Sequence, residues 1–123
     1  MDKNVEKNIE KIDYLPLGSV VIVRGNIKKL VIIARGLISK VNGELRCFDY
    51  GGVLYPEGLI SEDIVYFNHK DLKEVIHKGY SDRDEENMVE NLVEWFEKAN
   101  IKHGEPYDIN MQNIKNGKIN TSQ

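Results

Sequence analysis

The chain has 123 residues, 41% of them hydrophobic and 30% charged, with a formal net charge of −3. That length suits one domain with a modest core, and the apolar content is too high for wholesale disorder. The negative balance argues against a general nucleic-acid binder, which needs surplus cations to displace counterions, and a single cysteine, Cys47, rules out an intramolecular disulfide.

Residues 1–18 hold no apolar run of the signal-peptide kind, and no stretch approaches the roughly 20 apolar residues of a membrane span. A soluble protein of the reducing cytoplasm, without membrane insertion, is expected. Val5, Ile9 and Ile12 recur at i, i+4, i+7 among polar residues, which predicts a short amphipathic helix that Pro16 must end. Residues 19–24 (SVVIVR) and 29–35 (KLVIIAR) are β-branched runs without helical period. Gly25 and Asn26 between them predict a hairpin. Both runs are apolar on two faces, which suits a barrel or a covered sheet.

Residues 37–41, the turn Asn42-Gly43, and residues 44–50 predict a second hairpin. Tyr55-Pro56-Glu57-Gly58 reads as a turn with proline second and glycine last. A strand is expected at 64–67, a single 3₁₀ turn at 68–72 (NHKDL), and an edge strand at 73–79 (KEVIHKG). One helix through 71–78 is the rival reading of the last two segments. Ser81-Asp82-Arg83-Asp84 then fits a capping box, and acids crowd the turn that follows.

Met88, Val89, Leu92, Val93, Trp95, Phe96 and Ala99 form one stripe at helical spacing. Fully buried, that stripe contributes on the order of 10 kcal/mol gross, and left exposed it is a large patch, so the helix must dock on its own sheet or on a partner. After Gly104 the chain (EPYDINMQNIKNGKINTSQ) is polar and patternless, which predicts a flexible tail at 105–123, and removal of residues 108–123 is expected to leave the fold intact. The expected fold is α+β, a single domain over residues 1–104. It has a five-stranded antiparallel SH3-like barrel or curved sheet at about 15–80, a short N-terminal helix and a longer C-terminal amphipathic helix at about 82–99.

Charge is uneven along the chain. Residues 17–46 carry Arg24, Lys28, Lys29, Arg35, Lys40 and Arg46 against Glu44 alone, whereas residues 81–98 carry seven acids against Arg83 and Lys98. The readings are solvated faces, or a polarised surface that orients a partner. Little points to catalysis. Cys47 paired with His69 or His77 would make a thiol–imidazole couple, but a cysteine inside a strand is usually a buried, inert thiol. His69, His77 and His103 lack zinc-ligand spacing, and no phosphate-binding glycine loop or carboxylate pair stands out. No enzyme activity, cofactor or metal is expected.

Leu15-Pro16-Leu17-Gly18-Ser19-Val20-Val21, Lys28-Lys29-Leu30, Arg35-Gly36, Tyr50, Leu54-Tyr55-Pro56-Glu57-Gly58, Phe67-Asn68-His69 and Gly79-Tyr80 followed by acids form an ordered set. With them the stretch 15–84 resembles a small Gram-positive family, a domain of unknown function found in type VII secretion loci beside LXG-type toxins. His77 departs from the family pattern, where an apolar residue is expected. Tyr80 and Asp84 also match the Tyr-x-x-x-Asp of type VII secretion signals, a match that six tyrosines produce readily by chance.

The resemblance implies a non-enzymatic cytoplasmic accessory protein. It would bind a cognate LXG-type toxin as targeting factor or chaperone, through the toxin's helical N-terminal region, and meet other small secretion accessory proteins. The alternatives are an immunity protein that neutralises that toxin and a small-barrel nucleic-acid binder using residues 17–46. Candidate partner-binding residues are Tyr50, Tyr55, Pro56, Glu57, Tyr66 and Phe67 on the sheet and Trp95 and Phe96 on the helix. Tyr55 and Trp95 are the expected anchors of one site where helix and sheet edge meet.

Overall fold

β-Branched side chains crowd Val20–Val23 and Lys29–Val41, and both segments are extended, because a pleated surface restricts a branched Cβ less than a helix does. The computed structural model describes residues 12–60 and 64–115. They form β1 (Val20–Val23), β2 (Lys29–Val41), β3 (Glu44–Tyr55), β4 (Val65–Phe67), a 3₁₀ turn (His69–Asp71), β5 (Leu72–His77), α1 (Arg83–Ala99) and α2 (Pro106–Lys115). The expected helix around Val5 and Ile9 lies outside the described residues. From Ile12 the chain runs as an irregular strap that buries Tyr14 and Pro16.

The strands make one antiparallel sheet in the order β4-β3-β2-β1-β5. Asn42 and Gly43 both take positive φ, 53° and 87°, as a two-residue turn matched to strand twist requires. Residues 29–35 and 37–41, expected in separate hairpins, are one continuous strand. β2 slips register between Ile32 and Ala34 and carries Gly36 at φ 68°. A Cβ at Gly36 would meet the Leu92 side chain at 2.6 Å, so this glycine lets α1 settle on the sheet.

No ladder joins β4 to β5 among the described residues, so the sheet is open and the closed SH3-like alternative is not realised. β4 has only three residues, and the β5 ladder to β1 slips twice, which leaves neither edge long and regular enough to close. The strand reading of residues 72–77 holds against the helical one. His77 is exposed there, so its polarity costs no packing.

α1 starts one residue later than the capping pattern suggested: Asp82 is the N-cap and accepts the Glu85 N–H at 3.1 Å. It ends at Asn100 in the left-handed region. Leu92 is buried with Tyr14, Val21, Val23, Leu30, Ile32, Tyr50 and Phe67, while Val89, Val93, Trp95 and Phe96 pack half-buried around them. Arg35, on β2, donates to both carboxylate oxygens of Glu85 and to the Leu15 carbonyl, pinning helix and strap to the sheet.

The segment after Gly104 is not a loose tail as far as it is described. α2 buries Ile109 against Val41 and Phe48, beside Leu37 and Tyr66. Asn110 and Gln112 bond the backbone at Tyr66 and at the β2–β3 turn. Residues 116–123 of the expected tail lie outside the described residues.

Candidate functional site

Tyr55 is the last residue of β3 and faces Lys29, the first of β2. Beyond it the chain turns through a cis Tyr55–Pro56 bond, and the Gly58 N–H donates to the Leu54 carbonyl at 2.7 Å. Lys28 reaches across from the β1–β2 loop to Glu57 at 3.3 Å, and Lys29 Nζ sits 5.7 Å from the Tyr55 ring centre. Loop and turn therefore form one stapled end of the sheet. A hydrogen bond from its own backbone N–H, with help from Lys28, holds the Glu57 carboxyl below its ordinary range.

This end carries apolar side chains that no described residue buries: Ile27 is 91% exposed, Leu59 56%, Tyr55 48% and Ile60 48%. Isolated exposed aliphatics are common, whereas a larger exposed apolar patch is the usual sign of an interaction site. Pro56 and Glu57 lie on the same exposed rim.

The other sequence candidates are placed differently. Tyr50 and Phe67 are fully buried, opposite each other across the β3–β4 ladder with ring centres 5.4 Å apart. They belong to the core and offer a partner no surface, because β3 is covered on both faces from Cys47 to Val53. Tyr66 is half-buried, edge-on to Phe48 at 5.4 Å and overlain by α2. Trp95 and Phe96 are half-buried as well. Phe96 stacks between Tyr14 (5.8 Å) and His103 (5.3 Å), and Trp95 lies over Gly36. Gly36 is seven residues along β2 from the Lys29–Tyr55 pair, roughly 20 Å at strand rise. The expected shared site anchored by Tyr55 and Trp95 therefore does not form.

The interior also holds a polar network that the sequence reading missed. Asp49, 2% exposed, accepts from the Tyr14 hydroxyl (3.0 Å) and the His69 N–H (2.9 Å) and meets His103 Nε2 at 2.9 Å. Burial pushes its carboxyl up, but the hydrogen bonds from His103 and His69 outweigh that and hold it below the ordinary carboxylate range. Asn68, also buried, accepts the Asp49 N–H and donates to the Gly104 carbonyl, both at 2.9 Å.

His103 Nδ1 lies 3.4 Å from Cys47 Sγ, so cysteine, histidine and aspartate line up as in a nucleophilic triad. The electrostatics oppose that chemistry. Burial, then the Asp49 charge, push the Cys47 thiol up to about 11, so it stays protonated at neutral pH and donates to the Ile101 carbonyl. The histidine that meets Cys47 is thus neither His69 nor His77. One signal was legible: a lone aspartate inside the apolar run CFDYGGVL must be buried with partners.

Among the described residues no group of three or more His, Cys, Asp or Glu side chains is arranged to hold a metal ion, and no helix is long and apolar enough to cross a membrane. The model of one protein family, a domain of unknown function (DUF4176), matches residues 14–88, more than half of the chain. That stretch takes in the strap, the whole sheet and the first turns of α1, and stops short of His103 and α2. Comparison with curated proteins and with solved structures finds no match.

Proposed function

We propose that this chain, which belongs to the DUF4176 family, is a non-enzymatic accessory protein of type VII secretion that binds a cognate LXG-type toxin in the cytoplasm as targeting factor or chaperone. The observation that carries protein binding is the stapled sheet end with Ile27, Tyr55, Leu59 and Ile60 exposed together. A helical N-terminal toxin region recognised there lays its apolar face across Tyr55 and Leu59, as amphipathic helices do on apolar surfaces. The type VII and toxin assignment itself rests on the resemblance of the motifs in residues 15–84.

The nucleic-acid alternative loses support from the charge placement. Of the six cations in residues 17–46, Arg35 is buried against Glu85, Arg46 pairs with Glu44, Lys28 pairs with Glu57, and Lys29 covers Tyr55. Three of these six cations thus have an acidic partner, one of them from the acidic segment, which leaves a weaker field for a polyanion.

The deciding experiment titrates the full chain separately with the N-terminal LXG region and with the C-terminal toxin region of a cognate toxin. Binding to the first alone is expected of a targeting factor or chaperone. Binding to the second alone would replace this reading with that of an immunity protein.

A further inference from the structure

The two edges of the sheet are guarded in different ways. β5 lies open, but its ladder slips twice, Lys73 lies on it and Lys78 follows it, which discourages pairing with another strand. At the other edge β3 has twelve residues and β4 only three, so β4 covers Tyr50 to Gly52 and no more.

Residues 101–113 cover this edge at Cys47 and again at Tyr66. The Cys47 N–H donates to the Lys102 carbonyl and the Gly104 N–H to the Cys47 carbonyl, both at 3.0 Å, a step of parallel ladder. Further on, the Asn110 carboxamide accepts the Tyr66 N–H and donates to the Tyr66 carbonyl, both at 3.0 Å, as a peptide group of an added strand would. One segment thus fills the hydrogen-bonding positions of a missing neighbour at Cys47 on β3 and at Tyr66 on β4.

The covered edge has definite requirements. A Cβ at Gly104 would approach the Phe48 ring to 2.5 Å, so only glycine fits. The Gly104 carbonyl satisfies buried Asn68, and the side chain just before it satisfies buried Asp49. Ile109 is the one fully buried side chain α2 contributes among the described residues, and hydrogen bonds that another chain could supply make up the rest of the hold. The cover begins after the left-handed Asn100, where the helical path of α1 has ended.

We propose that residues 101–113 are a displaceable internal occupant of a strand-binding edge, and that the edge takes an extended peptide of a partner protein by strand addition. The incoming segment carries a donor side chain, histidine or a basic residue, immediately before a glycine, because the buried Asp49 carboxylate would otherwise lose its His103 donor and the Asn68 amide its acceptor, the Gly104 carbonyl. Exchange of this segment for another that makes the same bonds keeps those groups satisfied, whereas simple opening does not. This site is separate from the Tyr55 end and does not depend on the toxin reading.

The test uses the full chain and a labelled synthetic peptide of residues 100–113. Ile109→Ala and Asn110→Ala weaken the internal cover, so the peptide is expected to bind both at least about tenfold tighter than it binds wild type. The same peptide with Gly104→Val is expected not to bind, and with His103→Ala to bind more weakly. Hydrogen exchange at β1 and β2 reports whether each variant is folded. If Ile109→Ala is not, Asn110→Ala, which removes only one carboxamide, carries the comparison. Absence of binding, equal affinity for wild type and variants, or undiminished binding of the Gly104→Val peptide would overturn the proposal. So would dimerisation of the variants by exchanging their own segments, which would make a second copy the occupant.

Discussion

Asp49 keeps its charge at 2% exposure, which an apolar interior opposes unless donors surround the carboxylate. Tyr14, His69 and His103 supply them from three separate parts of the chain. A carboxyl held below its ordinary range stabilises the fold at pH above its unfolded value, about 3.9, and that contribution fades as pH falls through the folded value. Thermal melts from neutral pH downward should therefore show wild type losing stability below about pH 4 more steeply than Asp49→Asn, whose lower melting temperature converges on wild type in acid. Parallel profiles would mean that Asp49 is not ionised in the native state. Arg35 and Glu85 present the same problem as an ion pair, with side chains 5% and 13% exposed. Arg35→Ala strands the Glu85 carboxylate and is expected to cost about 3–5 kcal/mol in a denaturant titration, with Glu85→Ala less than additive to it. Neither partnership was legible from residue types, since each joins positions dozens apart. The Tyr55-Pro56-Glu57-Gly58 turn was legible, because proline and glycine mark it locally.

At the scale of elements, what the sequence revealed and what it hid follow the range of the forces involved. The Asn42-Gly43 turn, the β-branched runs and the Val89–Leu92–Val93–Phe96 stripe carry their structure in neighbouring residues, so the turn and α1 lie where that pattern placed them, while β2 joins two expected strands into one and β3 runs on past Tyr50 to Tyr55. α2 went unread because its segment, PYDINMQNIK, has no apolar stripe. It is held by one side chain, Ile109, and by two carboxamides that bond distant backbone. Removing residues 108–123 is therefore expected to lower the melting temperature measurably. Ile109→Ala alone should cost about 2–5 kcal/mol, the range for deleting a buried aliphatic. Unchanged melting after both changes would show that α2 adds nothing to stability. The candidate site divided in the same way. Tyr50 and Phe67 carry the residue types of an interface, but strand alternation fails on β3, whose two faces are both covered, so only the structure separates core from surface.

For the whole molecule, the order of five strands with a 3₁₀ turn before the last was readable, and closure was not. Closure depends on pairing between β4 and β5, which no local pattern encodes, and both edges are too short or irregular for it. The open sheet leaves three surfaces of different character: a blunted β5 edge, a β3–β4 edge occupied from within, and an apolar end at Tyr55. Arg35 and Glu85 join the basic segment to the acidic one where α1 meets β2, a single buried pair that cancels one charge of each. Apolar contact at the Tyr55 end is thus the main source of affinity in this account, with charge a minor contributor. The most direct measurement compares Tyr55→Ala with wild type for thermal melting and for binding to the N-terminal LXG region of a cognate toxin. The account predicts near-identical melting and binding weaker by at least about tenfold, or about 1.4 kcal/mol, with Glu57→Lys weaker by a smaller factor. Wild-type affinity in both variants would contradict it and leave the Tyr55 turn a structural corner.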